Sequence, residues 1–289
     1  MIKKQSSQLY FICFKLGVFI FFLGHTLSYA QTPLTPLSPT PTIISSNTPK
    51  KLTLSNEFIQ LILNNTPADK GRFAIETTNG SPQNTADNYQ PLIYGRPLPW
   101  TSYTTILIDN IPYIFGGNSK KIKRRVGKDI LFGVVTFQDK TDSSLITECQ
   151  FGKIKVIQTL EFFRNPATRV KDTALIHYQI INEDTQPHTV GIRIMMDTKL
   201  GQNDGAPFRF GKHTIISEKS FSSTEFVDYW QTFDDLNNPN VIAQGTLKFP
   251  KAGLTPPSRL MLANWGTLVD NPWQFEYQEN RPFIRTGET

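Results

Sequence analysis

The residues whose types and spacing best suit chemistry lie in Met196-Asp197-Thr198-Lys199-Leu200-Gly201-Gln202-Asn203-Asp204-Gly205. An apolar strand ends at Asp197, the chain turns through Gly201, and Asn203 and Asp204 stand before Gly205. Carboxylate and amide oxygens gathered on a glycine turn are the donors a hard cation such as Ca²⁺ prefers. Asp197, Asn203 and Asp204 are therefore candidate calcium ligands. The spacing is not that of an EF-hand. With Gly205 as the invariant glycine, Leu200, Gln202 and Gly211 would fall at ligand positions. The alternative is an Asx turn, in which Asn203 and Asp204 bond nearby backbone amides.

Other reactive groups are scattered. Glycoside chemistry needs two facing carboxylates; Asp197, Asp204, Asp228, Asp234 and Asp235 are candidates, but their order along the chain pairs none of them. His177, His188 and His213 fall on separate strands or strand edges, without His-x-x-x-His or His-x-His spacing. Cys149 stands in the strand-like Leu145-Ile146-Thr147-Glu148-Cys149-Gln150-Phe151, where a buried, inert thiol is expected. A Gly-x-Ser-x-Gly elbow, a Walker loop and a dinucleotide fingerprint are all missing, which argues against phosphoryl transfer and nicotinamide chemistry.

Binding is better represented than reaction. The full sequence holds 21 Phe, 9 Tyr and 4 Trp. Trp100 sits in the proline-stiffened Arg96-Pro97-Leu98-Pro99-Trp100, and Trp230 follows Tyr229. A flat ring held on a rigid loop suits the C–H face of a sugar; the same rings can instead plug the end of a β core. Trp265, at the end of an expected strand, reads as core. Trp100, Tyr229, Trp230 and Arg193, the last on the polar side of an alternating strand, form the candidate ligand-binding set. The run Lys120-Lys121-Ile122-Lys123-Arg124-Arg125, with Lys128, is expected as a solvated hairpin end, or as a contact for an anionic polymer or membrane surface.

The elements that must carry these residues have period two. Ile154, Val156, Leu160 and Phe162 share one side of 153–163, with Lys153, Lys155, Thr159 and Glu161 opposite. Val190, Ile192, Ile194 and Met196 do the same in 188–197. Thr104-Thr105-Ile106-Leu107-Ile108 and Ile111-Pro112-Tyr113-Ile114-Phe115 flank Asp109-Asn110, a two-residue hairpin signal. Further strands are expected at 58–63, 72–77, 130–138, 144–150, 173–182, 213–217, 241–247 and 259–265. One buried and one wet face means antiparallel pairing. The expected fold is all-β: a supersandwich-like antiparallel β-sandwich of two sheets, with at most one or two short helices. One of these is expected after Ser222-Ser223-Thr224-Glu225, a capping box followed by Phe226, Tyr229, Trp230 and Phe233 at helical spacing.

At the front, Lys3 and Lys4 precede the apolar run Leu16–Leu23, which stops at Ser28-Tyr29-Ala30. That is the layout of a secretory signal peptide, with cleavage expected after Ala30, and the run is too short to span a bilayer. Cys13 has Phe11-Ile12 before it, where a lipoprotein cysteine needs a small residue. Residues 31–50, rich in Pro and Thr, read as a disordered spacer, and 51–289 as one β domain. The chain carries +6; losing Lys3, Lys4 and Lys15, and no acid, leaves +3. That is too little to argue for nucleic acid. Cys149 alone survives cleavage, so no internal disulfide can form. The expectation is a protein secreted to the periplasm, cell surface or exterior, without stable membrane insertion after cleavage.

Gly71-Arg72-Phe73-Ala74-Ile75-Glu76-Thr77-Thr78, Arg193-Ile194-Met195-Met196-Asp197-Thr198, Asn203-Asp204-Gly205-Ala206-Pro207-Phe208, Val241-Ile242-Ala243-Gln244-Gly245-Thr246-Leu247 and Ala263-Asn264-Trp265-Gly266 resemble stretches of exported bacterial proteins of unassigned function. The overall rhythm is similar to the β-supersandwich of galactose-mutarotase-like proteins and of accessory domains in polysaccharide-degrading enzymes. The resemblance implies a fold and nothing catalytic; the His and Glu pair of mutarotases matches no local motif here. The expected role is non-catalytic binding of polysaccharide or another cell-surface component. The alternatives are a carbohydrate-active enzyme of mutarotase or lyase type and a structural module of a surface assembly.

Overall fold

The computed structural model describes residues 9–19, 49–80, 84–248 and 256–283. Most of the expected leader and the Pro/Thr-rich spacer up to residue 48 lie outside the described residues. In chain order the first strands are β1 (Leu9–Phe19), β2 (Lys51–Ser55), β3 (Ile59–Asn64), β4 (Phe73–Thr77), β5 (Pro91–Ile93), β6 (Tyr103–Ile108) and β7 (Ile111–Ile114). After helix α1 (Lys120–Val126) come β8 (Leu131–Phe132), β9 (Val134–Lys140), β10 (Ser144–Phe151), β11 (Ile154–Phe163), β12 (Thr173–Asn182) and β13 (Val190–Met195). The last are β14 (Phe208–Phe210), β15 (His213–Ile215), β16 (Lys219–Ser222), β17 (Tyr229–Phe233), β18 (Ile242–Thr246) and β19 (Arg259–Leu262), then helix α2 (Trp265–Leu268).

The chain is thus all-β with mainly antiparallel pairing, as its alternation demands. The strands fall into four sheets among the described residues rather than the two expected. The largest has the order β15-β14-β17-β18-β1-β12-β11-β10-β9; the others are β2-β3-β4-β5, β13-β6-β7-β8 and the pair β16-β19. Asp109 and Asn110 both take positive φ, 48° and 68°, and close the β6–β7 hairpin as their residue types require. The main core forms where β3–β5 and β6 meet the inner face of β10–β12: Leu61, Leu63, Phe73, Ile75, Ile106, Val156, Leu160 and Ile176 are all buried there.

Three local expectations are corrected. The basic run is a helix, not a hairpin end: Ser119 caps α1, accepting from the Ile122 amide at 3.4 Å, and Gly127, at φ 123°, closes it. Beyond Ser222 the chain makes only a 3-10 turn, Ser223–Glu225, before β17. The Glu225 carboxylate does accept from the Ser222 amide and hydroxyl, both at 2.7 Å, so the capping box is real, but the short helix expected to run on through Phe233 is not. Trp265 begins α2 instead of ending a strand.

β1 is the one long parallel strand. It pairs with β12 from Phe11 opposite Thr173 to Phe19 opposite Ile181, and with β18 from Leu9 opposite Ile242 to Cys13 opposite Thr246. The residues expected as the leader's apolar run therefore overlap a strand that joins the two halves of the largest sheet. A chain beginning at Gln31 lacks that strand, leaving the facing edges of β12 and β18 without ladder partners. Hydrogen exchange of the two forms checks this: amides at 173–181 and 242–246 should exchange faster in the shorter chain. Equal exchange would mean that the two edges do not depend on β1.

Candidate functional site

The three candidate calcium ligands have different surroundings. Asp197 is buried; its amide donates to Ser102 Oγ at 3.0 Å, and its carbonyl accepts from the Tyr94 amide at 2.8 Å. Burial pushes its carboxyl up to about 7, opposed by a hydrogen bond from Thr101. Asn203 forms the Asx turn: its Oδ1 accepts from the Gly205 amide at 3.0 Å, and its Nδ2 donates to the Asp234 carbonyl at 2.8 Å. Asp204 is exposed. Asn203 lines a polar hollow of about 450 Å³ with Gln90, Asp234 and Asn240, and neither Asp197 nor Asp204 borders it. Among the described residues no group of three His, Cys, Asp or Glu is arranged to hold a metal.

The candidate ligand-binding set also separates. Trp230 is 2% exposed and belongs to a core with Phe208, Phe210, Phe221 and Phe226. Its ring lies on Gly245, directly across β17–β18, where any Cβ would come within 2.1 Å of the ring. Tyr229, its neighbour, points to the opposite face and is exposed, because successive strand residues alternate. Arg193 lies mostly buried beneath α2, donating to the Leu268 carbonyl at 3.4 Å and to the Asn271 carbonyl. Burial lowers its pKa, opposed by Tyr103. Trp230 thus packs within a core cluster and Arg193 holds backbone carbonyls, whereas Tyr229 is exposed.

Trp100 remains at the surface, and the fold adds partners the sequence had not joined to it. Its ring meets the edge of Trp265 at 5.9 Å between centroids and 84° between planes. Lys121 Nζ lies 5.1 Å from the Trp100 ring centre, and the Arg125 guanidinium 5.4 Å from that of Trp265. Trp265 Nε1 donates to the Thr101 carbonyl at 3.1 Å, fixing one ring to the loop that carries the other. Asn64 Nδ2, donating to the Pro99 carbonyl at 2.7 Å, pins that loop to β3. Both rings are only half-buried. Trp265 thus serves both sides: it packs against the buried cluster of Tyr103, Ile114, Ile122, Met195 and Val269 and meets Trp100 at the surface.

A buried cation supports the platform. Arg72 is 1% exposed; its guanidinium donates to the Phe115 carbonyl and, at 3.0 Å, to that of Gly117. Desolvation lowers its pKa to about 10, and the Asp69 carboxylate opposes the shift. Asp69 also lies 3.6 Å from Lys121 Nζ, which links the buried charge to the cation over Trp100. Gly116 takes φ 96°, and a Cβ there would stand 2.2 Å from the Lys70 carbonyl oxygen. The turn into α1 thus requires glycine.

Elsewhere, the histidines and the thiol have quieter roles. His188 sits between two carboxylates, Nδ1 at 2.6 Å from Asp109 and Nε2 at 3.1 Å from Asp184; these bonds raise its pKa and tie the β6–β7 turn to the approach to β13. His213 lines a groove of about 870 Å³ with Glu218, Glu225 and Glu279. Each of those acids is already engaged: Glu225 with Ser222, Glu279 with Lys219, and the fully buried Glu218 with the Gln278 amide and Arg281. Cys149 is buried, and desolvation pushes its thiol up to about 12. Comparison with protein-family models, curated proteins and solved structures finds no match for this chain.

Three variants test these placements. A carboxyl that ionises near 4 when unfolded and near 7 when folded binds its proton more tightly in the native state, so its contribution falls as pH rises between those values. Asp197→Asn should remove that fall and be more stable than the parent above pH 7 by a few kcal/mol, read from urea unfolding at pH 4 and pH 8. Arg72→Met leaves the Phe115 and Gly117 carbonyls without their donor, and should cost about 3 kcal/mol. Arg96→Ala, which breaks an exposed pair with Glu76, should cost under about 1 kcal/mol in the same measurement.

Proposed function

We propose that this chain is an exported, non-catalytic β-sandwich protein that binds polysaccharide or another cell-surface component. The observation that carries the reading is the half-buried Trp100–Trp265 pair, held edge to face on a pinned loop beside an exposed helix. An apolar ring face fixed in this way meets the C–H face of a sugar with little conformational entropy left to lose. The leader pattern around Leu16–Leu23, with its basic head and Ser28-Tyr29-Ala30 end, supports export. Packing of β3–β5 against β10–β12 supports the sandwich, and through it the supersandwich likeness.

A sugar-active enzyme of mutarotase or lyase type is the second reading, favoured by the groove that places His213 among Glu218, Glu225 and Glu279. Against it, all three acids already serve structural bonds. A general acid or base needs a carboxylate free to reach its substrate.

Trp100→Ala discriminates. On a polysaccharide array it should weaken binding at least about tenfold, about 1.4 kcal/mol, with an unchanged circular dichroism spectrum. Undiminished binding would remove this surface from the site. Turnover of a sugar by the parent, lost in Glu279→Gln and kept in Trp100→Ala, would favour the enzyme.

A further inference from the structure

We infer that the polysaccharide this surface takes is acidic, lying along α1 beside the Trp100–Trp265 pair. This rests on the glycan-binding reading and narrows it to one class. Five of the seven residues of α1 are cations (Lys120, Lys121, Lys123, Arg124 and Arg125), no acid lies in its first turn, and Lys128 follows. Only two of the six are neutralised: Lys121 faces Asp69 at 3.6 Å, and Arg125 pairs with Asp270 at 2.7 Å. Among the described residues, Lys120, Lys123, Arg124 and Lys128 have no carboxylate within salt-bridge distance.

Folding alone does not account for this charge. Cations in a last helical turn complement the partial negative charge there, each by about 0.3–1 kcal/mol, which suits Lys123, Arg124 and Arg125. It does nothing for Lys120 or Lys128. Like charges three and four residues apart repel by about 0.2–0.5 kcal/mol a pair. Lys120 with Lys123 and Arg124, and Lys121 with Arg125, are such pairs. An anion laid on the ridge relieves that repulsion, and a row of cations suits a polymer better than a single ion.

The surroundings choose among polymers. α1 turns its apolar side inward: Ile122 is fully buried, and Val126 packs on the same cluster with Tyr103, Ile114 and Val269. α1 itself keeps no greasy stripe to enter a bilayer, which a membrane-surface helix needs; the exposed Leu131, Val134 and Phe137 lie on the strands beyond it. The helix spans about 10 Å at 1.5 Å per residue, short for a nucleic-acid duplex. Rings beside a short cationic ridge fit a slender sugar chain bearing repeated carboxylates.

The experiment titrates the full chain, at about 50 mM salt, with polygalacturonate, with dextran as the neutral polymer, with duplex DNA and with phosphatidylglycerol vesicles. The parent should bind polygalacturonate best. K120E/R124E should weaken that binding at least about tenfold while keeping the parent melting temperature and any dextran binding, and salt near 0.5 M should do the same to the parent by screening. Trp100→Ala should weaken both sugars. Equal affinity for dextran and polygalacturonate, lost in Trp100→Ala but not in K120E/R124E, would leave the glycan reading standing and overturn the acidic one. Charge-dependent binding of DNA or vesicles in preference to polygalacturonate overturns it too.

Discussion

A guanidinium shut away from water must find carbonyls, and Arg72 finds them in the turn that launches α1. An unsatisfied buried charge costs several kcal/mol, so the Phe115–Gly117 backbone has little freedom to be anywhere else. Gly116 and Gly117 let that backbone lie against Pro67–Lys70, where side chains would collide. From this one contact the candidate surface follows. The turn sets the start of α1, α1 sets Lys121 and Arg125, and those two cations lie over Trp100 and Trp265. Asp69 stands at the junction, near both the buried cation and the exposed one.

The aromatic residues divide along the same logic of backbone approach. Trp230 is drawn inward because Gly245 opposite leaves a vacancy in β18 that an indole fills. Phe208, at 5.5 Å between ring centres, closes it from the side. Trp100 faces no such vacancy: it follows two prolines and a pinned carbonyl, and the neighbouring surface is a helix whose inner face is already taken by Ile122. Ring type is equal in the two cases; what lies across from each ring decides.

How much of this could be read beforehand depends on the range of the signal. Local alternation placed β10, β11, β12 and the β6–β7 hairpin, because period two and Asp109-Asn110 are properties of short windows. The helix expected after Ser222 failed because Phe226, Tyr229, Trp230 and Phe233 fit a helical spacing by chance, and pairing with β14 and β18 overrode it. α1 was legible in principle, since Ser119 and Gly127 bracket good helix formers as caps. The division into four sheets was not, for sheet order depends on contacts far apart in sequence. The Asx turn at Asn203 was local and open to reading; the meeting of Trp100 with Trp265, and the burial of Arg193 under α2, were not.

The position of β1 gives one segment two partners far away in the chain, β12 and then β18. Pairing across so long a stretch is slow to form. The two halves of the largest sheet are therefore joined late, when β18 arrives beside a strand that β12 already holds.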